Sequence, residues 1–330
     1  MVPALGFGGA TLGDAAGPIP EAQARDTIEE ACRVGIGYFD TAPWYGNGKS
    51  ELRIGAALRG VPRGAYRLST KVGRVYARSA DPSHLSQQRW RGGLSFQPRF
   101  DYTADGVLRS YEQSLLRLGL PGVDALVIHD LDEGHQGSPD AVDRSLDELS
   151  EGGGFEALAS LRRSGEILAI GAGINRQGMI PRFLERFAID FFLVAMPYSL
   201  LDQGALDLEL PLCLERGASV VIGAPFASGI LASGPVAGAT YGYRTAPHDI
   251  TETVVRMAAV CSRHGVPLGA AALQFPFGHP TVTAVIPGPN APEQVHANLD
   301  WMSLRIPPEL WDDLKREGLL RPDAPCPRDT

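Results

Sequence analysis

Strand-like and helix-like segments alternate along the whole of this chain, and that alternation narrows the fold more than any other feature. Short β-rich runs recur as ALGFGG, YFDTAP, RLSTKVG, ALVIHD, ILAIGAGIN, FFLVAMPY, SVVIGAPF and TAVIPG. Between them, residues 20–34, 49–59, 103–118, 155–163, 206–216, 249–264 and 292–299 carry helical periodicity. The runs are apolar on both faces, as a parallel sheet covered by helices requires. Their number, about eight, favours closure into a (β/α)8 TIM barrel over an open doubly wound sheet. No G-x-G-x-x-G follows the first run, and GFGGATLG is the nearest approach, so an open-sheet dinucleotide site is not expected.

A barrel accommodates the length. The chain has 330 residues, and barrels exceed 200 as single units, so one domain over 1–330 is expected. A hydrophobic fraction of 44% and a charged fraction of 21% suit a soluble globular protein with a sizeable core. The net charge of −8, with no run of basic residues, argues against a nucleic-acid partner. Cys32, Cys213, Cys261 and Cys326 are far apart and form no C-x-x-C pair, so neither a disulfide framework nor a metal site is expected. MVPALGFGGATLG lacks the basic and long apolar regions of a signal peptide, and no apolar stretch reaches membrane-spanning length, so a cytoplasmic protein without a membrane partner is expected.

Two connections are long. Residues 72–102, with His84, Trp90, Phe96 and Phe100, show almost no periodicity, and residues 231–248 are rich in Gly, Ala and Tyr. Both are expected to be structureless functional lids. SEGGG near Gly153 reads as a flexible spacer, and the proline-containing tail from Arg321 as a surface strap or a frayed end.

Polar residues end consecutive apolar runs: Asp40, with Tyr45 just beyond, then Lys71, then His129. In a barrel, neighbouring strands deliver such residues to one mouth. A tyrosine, with an unperturbed pKa of ~10, is a poor acid or base near neutrality. An adjacent ammonium favours its phenolate, and a carboxylate beside the lysine keeps that lysine charged and oriented. Singly, Asp40 serves equally well as a helix cap, Lys71 as a solvated strand end and His129 as a satisfied core histidine. Jointly, on three adjacent strand ends, they make a site that moves a proton on and off an oxygen bonded to carbon.

FDTAPWYGNGKSE, STKVG, SLLRLGLPGVDALVIHD and VIPG resemble the aldo-keto reductase superfamily, in the correct order over nearly the whole chain. FDYTADGVLRSYEQSLLRLGL, HDLD and GAPFASGILASG look closest to its aldose (L-fucose) 1-dehydrogenase and pyridoxal 4-dehydrogenase branch. The resemblance implies a catalytic tetrad of Asp40, Tyr45, Lys71 and His129, with Tyr45 as acid/base. It also implies a nicotinamide dinucleotide across the barrel mouth, touching Asn175, Tyr198, Phe226, Ser228, Gly229, Pro287, Gly288, Gln294 and Asn298. Trp44, Trp90 and Phe100 become expected substrate walls.

The chain departs from the family pattern in four respects. Ile174 precedes Asn175 where many members have serine, and Ala195 stands where they carry glutamine. The usual N-terminal hairpin is largely absent, which puts stability at the barrel bottom in question. Cations that NADP-selective relatives place after the eighth strand and one turn before the final asparagine are replaced by Gly288, Pro289, Asn290 and Gln294, with Glu293 nearby. NAD is therefore expected, NADP being the alternative if an arginine from elsewhere covers the phosphate. The implied activity is oxidation of an aldose at its anomeric carbon to a lactone. The alternatives are a pyridoxal dehydrogenase, a general carbonyl reductase, or a regulatory barrel that senses nucleotide. The oligomeric state is left open.

Overall fold

The computed structural model describes residues 4–15, 17–80, 90, 92–242 and 244–327; His84 lies outside them. The strands are β1 (Phe7–Gly8), β2 (Tyr38–Asp40), β3 (Arg67–Val72), β4 (Arg74–Arg78), β5 (Phe96–Phe100) and β6 (Ala125–Ile128). They continue as β7 (Ala169–Ile174), β8 (Phe191–Val194), β9 (Ser219–Ile222), β10 (Thr240–Tyr241), β11 (Arg244–Thr245) and β12 (Val282–Val285). Eight of them form a parallel sheet in the order β1-β2-β3-β6-β7-β8-β9-β12. A parallel bridge between Leu5 and Val285 joins its two ends. The amide of Gly6 donates to the Val285 carbonyl at 2.9 Å, and that of Gly8 to Pro287 at 2.8 Å. The sheet is thus a barrel, and all eight expected runs lie in it.

Strand periodicity sorts the core into two layers. Along β6, Ala125 and Val127 face inward with Tyr38, Phe191, Leu193, Val221, Ala284 and Ile286, whereas Leu126 and Ile128 join the larger cluster beneath the helices. Space inside is tight. A Cβ on Gly171 would lie 2.6 Å from the Phe191 ring, so a strand glycine makes room for a neighbouring aromatic ring.

Four expectations change. The described parts of 72–102 include regular structure: β4 and β5 pair antiparallel, with Arg74 opposite Phe100. Gln113 anchors this hairpin, accepting from the Tyr76 amide and donating to its carbonyl, both at 3.0 Å. Residues 231–248 hold a short helix, Ile230–Ser233, and the β10–β11 hairpin. SEGGG is a packed corner between helices Pro139–Ser150 and Gly154–Arg163, where the Gly152 carbonyl accepts from the Ala104 amide at 2.9 Å. Helices Pro139–Ser150, Met179–Arg186, Leu268–Gln274 and Pro308–Arg316 were not expected from periodicity. The tail from Arg321 is the strap: Ala324 is fully buried, and Arg321 pairs with Asp207 at 2.6 Å. Among the described residues no helix is long and apolar enough to cross a membrane.

Candidate active site

Asp40 is the last residue of β2, Lys71 is the penultimate residue of β3, and His129 follows β6 directly. Parallel pairing sets the three side by side, Asp40 opposite Ser69 and Lys71 opposite Val127. Tyr45 comes from the loop after β2. Beyond it Gly46, Asn47 and Gly48 have φ of 67°, 52° and 101°. Two glycines and an asparagine suit this left-handed turn, which leads into the helix Lys49–Leu58 and leaves Tyr45 at the mouth.

The four residues meet. The Lys71 ammonium donates to Asp40 Oδ2 at 2.5 Å and to the Thr41 carbonyl at 2.9 Å. It also lies 4.8 Å from the centroid of the Tyr45 ring. Ser69 donates to Asp40 Oδ1 at 2.7 Å. Tyr45 and His129 are edge to face, their centroids 5.9 Å apart. Asp40, Lys71 and His129 are buried, while Tyr45 is half-buried. Burial pushes the Asp40 carboxyl above the usual carboxylate range, against the pull of Lys71 and Ser69. Burial holds His129 well below the ordinary histidine range; the charges of Lys71, Arg74 and His135 reinforce this and Asp130 opposes it. The imidazole is therefore neutral.

All four side chains line one cleft at the barrel mouth. Trp44 and Trp90 are on its wall, with ring centroids 6.0 Å apart and edge to face. Phe100, expected beside them, is not part of the lining; it stacks on Tyr102 at 5.9 Å, and the Arg74 guanidinium lies 4.3 Å from its ring centroid. Asn175 and Ala195 line the cleft. The Asn175 amide nitrogen donates to Asp130 at 3.1 Å and to Asp132 at 3.2 Å.

A second cleft adjoins the first through Gly288. Phe226, Gly229, Gln294 and Asn298 line it, with Trp301 packed edge to face on Phe226 at 5.6 Å. Ser228 and Pro287 are not in the lining: the Ser228 carbonyl accepts from Thr240 at 2.6 Å, and that of Pro287 from the Gly8 amide. Tyr198 lies elsewhere altogether, fully buried with its ring 5.4 Å from that of Phe275. The family resemblance implied a place at the mouth, but the side chain packs into the core instead.

Three further residues of the site, Arg74, Asp130 and His135, were not anticipated. Arg74 donates to Asp130 Oδ2 at 2.5 Å, and Asp130 and His135 line the first cleft. Burial alone would raise the Asp130 carboxyl, but the charge and hydrogen bond of the Arg74 guanidinium oppose it, and the group is held below its usual range. The run HDLDEGH, dense in ionisable groups just after a strand end, was the available signal.

An implied nicotinamide dinucleotide fits these residues. Together the two clefts offer room along the mouth, and the second combines aromatic faces with the uncharged amides of Asn290, Gln294 and Asn298, a set suited to a flat base and ribose hydroxyls. Residues 4–316 match the Aldo/keto reductase family. The chain is 39% identical to pyridoxal 4-dehydrogenase of Microbacterium luteolum and 35% identical to D-threo-aldose 1-dehydrogenase of a Pseudomonas species, each over 97% of this chain and 95% of the relative. L-Galactose dehydrogenase of Arabidopsis thaliana is 30% identical over 90% of this chain and 83% of its own. The holo form of an aldo-keto reductase from Bacillus halodurans superposes with a TM-score of 0.72 at 27% identity, covering 95% of this chain and 91% of its own. With the barrel, the cleft and these relatives together, the chain belongs to the aldo/keto reductase family and is an NAD(P)-dependent oxidoreductase.

Proposed function

We propose that the protein oxidises the ring form of an aldose, of the L-fucose or D-threo type, at its anomeric carbon to the lactone, with Tyr45 as the proton acceptor. The convergence of Tyr45, Lys71, Asp40 and His129 on one cleft carries this reading. A cyclic hemiacetal becomes a lactone by losing a hydride from carbon and a proton from the attached hydroxyl. The bound nicotinamide supplies the hydride acceptor. Tyr45 takes the hydroxyl proton, and the ammonium of Lys71 at its ring favours the phenolate that can do so. Asp40 and the Thr41 carbonyl hold that ammonium in place. His129, being neutral, donates a hydrogen bond to the reacting oxygen without bringing a charge. Trp44 and Trp90 offer apolar surface to the face of a sugar ring.

The second cleft supports NAD. Among the described residues no lysine, arginine, aspartate or glutamate lines it, so a 2′-phosphate of about two negative charges finds no cationic partner there. Gln294 instead accepts from the Asn290 amide at 2.9 Å.

A second reading is pyridoxal, favoured by the relative at 39% identity that bears this name. Pyridoxal closes into a hemiacetal through its neighbouring hydroxymethyl group, so the same bond chemistry applies. Steady-state assays with NAD, L-fucose, other aldoses and pyridoxal, with the product identified as lactone or acid, test the proposal. Efficient turnover of an aldose to its lactone is expected. Failure of every aldose alongside rapid oxidation of pyridoxal selects the second reading. Failure of both, with efficient reduction of simple aldehydes, rejects the pair.

A further inference from the structure

We infer that Arg74 is a positioning residue that fixes the tautomer of His129, leaving the ring proton on Nε2. A guanidinium has five N–H donors and no acceptor. Arg74 Nη1 lies 3.4 Å from His129 Nδ1, so the hydrogen bond there requires a lone pair on Nδ1. A proton on Nδ1 would set two donors against each other in a buried site, at the cost of an unmade bond. The proton is then on Nε2, which is 3.4 Å from Asp130 Oδ1 and belongs to a ring lining the cleft.

The guanidinium is itself held on several sides. Nη1 donates to Asp130 Oδ2 at 2.5 Å, and the group lies between two aromatic faces, 4.5 Å from the Trp44 centroid and 4.3 Å from that of Phe100. Phe100 stacks in turn on Tyr102, whose hydroxyl donates to the His129 carbonyl at 2.7 Å. One aromatic stack thus orients both the donor and the backbone of the acceptor. This gives Phe100 a role behind the substrate wall. The charged and titratable groups facing His129 are Asp130, Lys71, Arg74, His135 and the Tyr45 ring. Only Arg74 among them makes a hydrogen bond to Nδ1.

The effect on turnover rests on the proposed role of His129 as donor to the reacting oxygen; the tautomer does not. Nitrogen-15 NMR of the full chain labelled at histidine, with His129 assigned by the signal lost in His129→Gln, reads the tautomer directly. The wild type should show a proton on Nε2 and a bare Nδ1 from about pH 6 to 8. Arg74→Met should protonate Nδ1 and lower kcat roughly tenfold to hundredfold, the scale of losing one aimed donor, with the Kd for NAD unchanged. Arg74→Lys, still a pure donor, should keep the wild-type tautomer and recover part of kcat. A wild-type proton on Nδ1 overturns the inference without need of any variant, as does an unchanged His129 spectrum in folded Arg74→Met. A changed spectrum with unchanged kcat upholds the inference and rejects the proposed role of His129.

Discussion

Around His129 a neutral ring sits among two cations and a carboxylate, so this residue couples the site to pH. Its folded-state pKa lies well below the ordinary value of ~6.5 because the ring is buried. A depressed pKa means that the unfolded chain binds the proton first. The stability His129 contributes is therefore complete above about pH 6.5 and is lost as pH falls below it toward the folded-state pKa, at no more than about 1.4 kcal/mol per pH unit. Asp40, shifted upward, acts with the opposite sign, so the test is a comparison. Urea midpoints between pH 6.5 and 5 should fall more steeply for the wild type than for His129→Gln, and equal slopes would contradict the assignment. At this scale the sequence was informative where geometry is guaranteed by topology: Asp40, Lys71 and His129 end neighbouring parallel strands and must meet. Asp130 and His135 stood in a run dense in ionisable groups, but Arg74, at the start of β4, carried no such signal, because its contacts depend on side-chain direction. Tyr198, which the resemblance implied at the mouth, is held in the core by packing against Phe275.

Elements position these residues through close backbone contacts that periodicity does not reveal. The corner at Gly154 is one such contact. A Cβ there would lie 1.9 Å from the Tyr102 carbonyl oxygen, a backbone atom with nowhere to move cheaply. Gly154→Ala should destabilise the fold by about 1–3 kcal/mol, read as a lower thermal midpoint. It should also reduce kcat, because Tyr102 anchors the His129 carbonyl. A variant as stable and active as the wild type would show the corner to be loose. Composition alone made SEGGG resemble a spacer; only the opposing strand-to-helix turn at Tyr102 shows why glycine is needed. The helix Pro139–Ser150 did carry a local signal in Ser138, whose hydroxyl accepts from the Ala141 amide at 3.2 Å ahead of Pro139 at the first turn. The β4–β5 hairpin carried less. It is anchored by Gln113, which lies on a helix and is distant in sequence.

Across the whole molecule, alternation of eight apolar runs with helical segments was enough to specify a barrel, because a parallel sheet buried on both faces has few other ways to close. What it could not specify is the shape of the mouth, where two clefts adjoin at Gly288. That junction makes cofactor choice a property of the far cleft, separate from the chemistry of the near one. NAD should be preferred over NADP by tenfold or more in kcat/KM, worth ~1.4 kcal/mol, and Gln294→Arg should move the ratio toward NADP. A tenfold preference for NADP in the wild type would mean that a cation reaches the site from elsewhere.

The central claim is that Tyr45 transfers the proton in this cleft, and kcat of Tyr45→Phe measured beside NAD affinity tests it most directly. The substitution removes one hydroxyl and little binding surface, so kcat should fall by two orders of magnitude or more while the Kd for NAD stays within about twofold. A kcat within a few-fold of the wild type, with NAD still bound, would contradict the account.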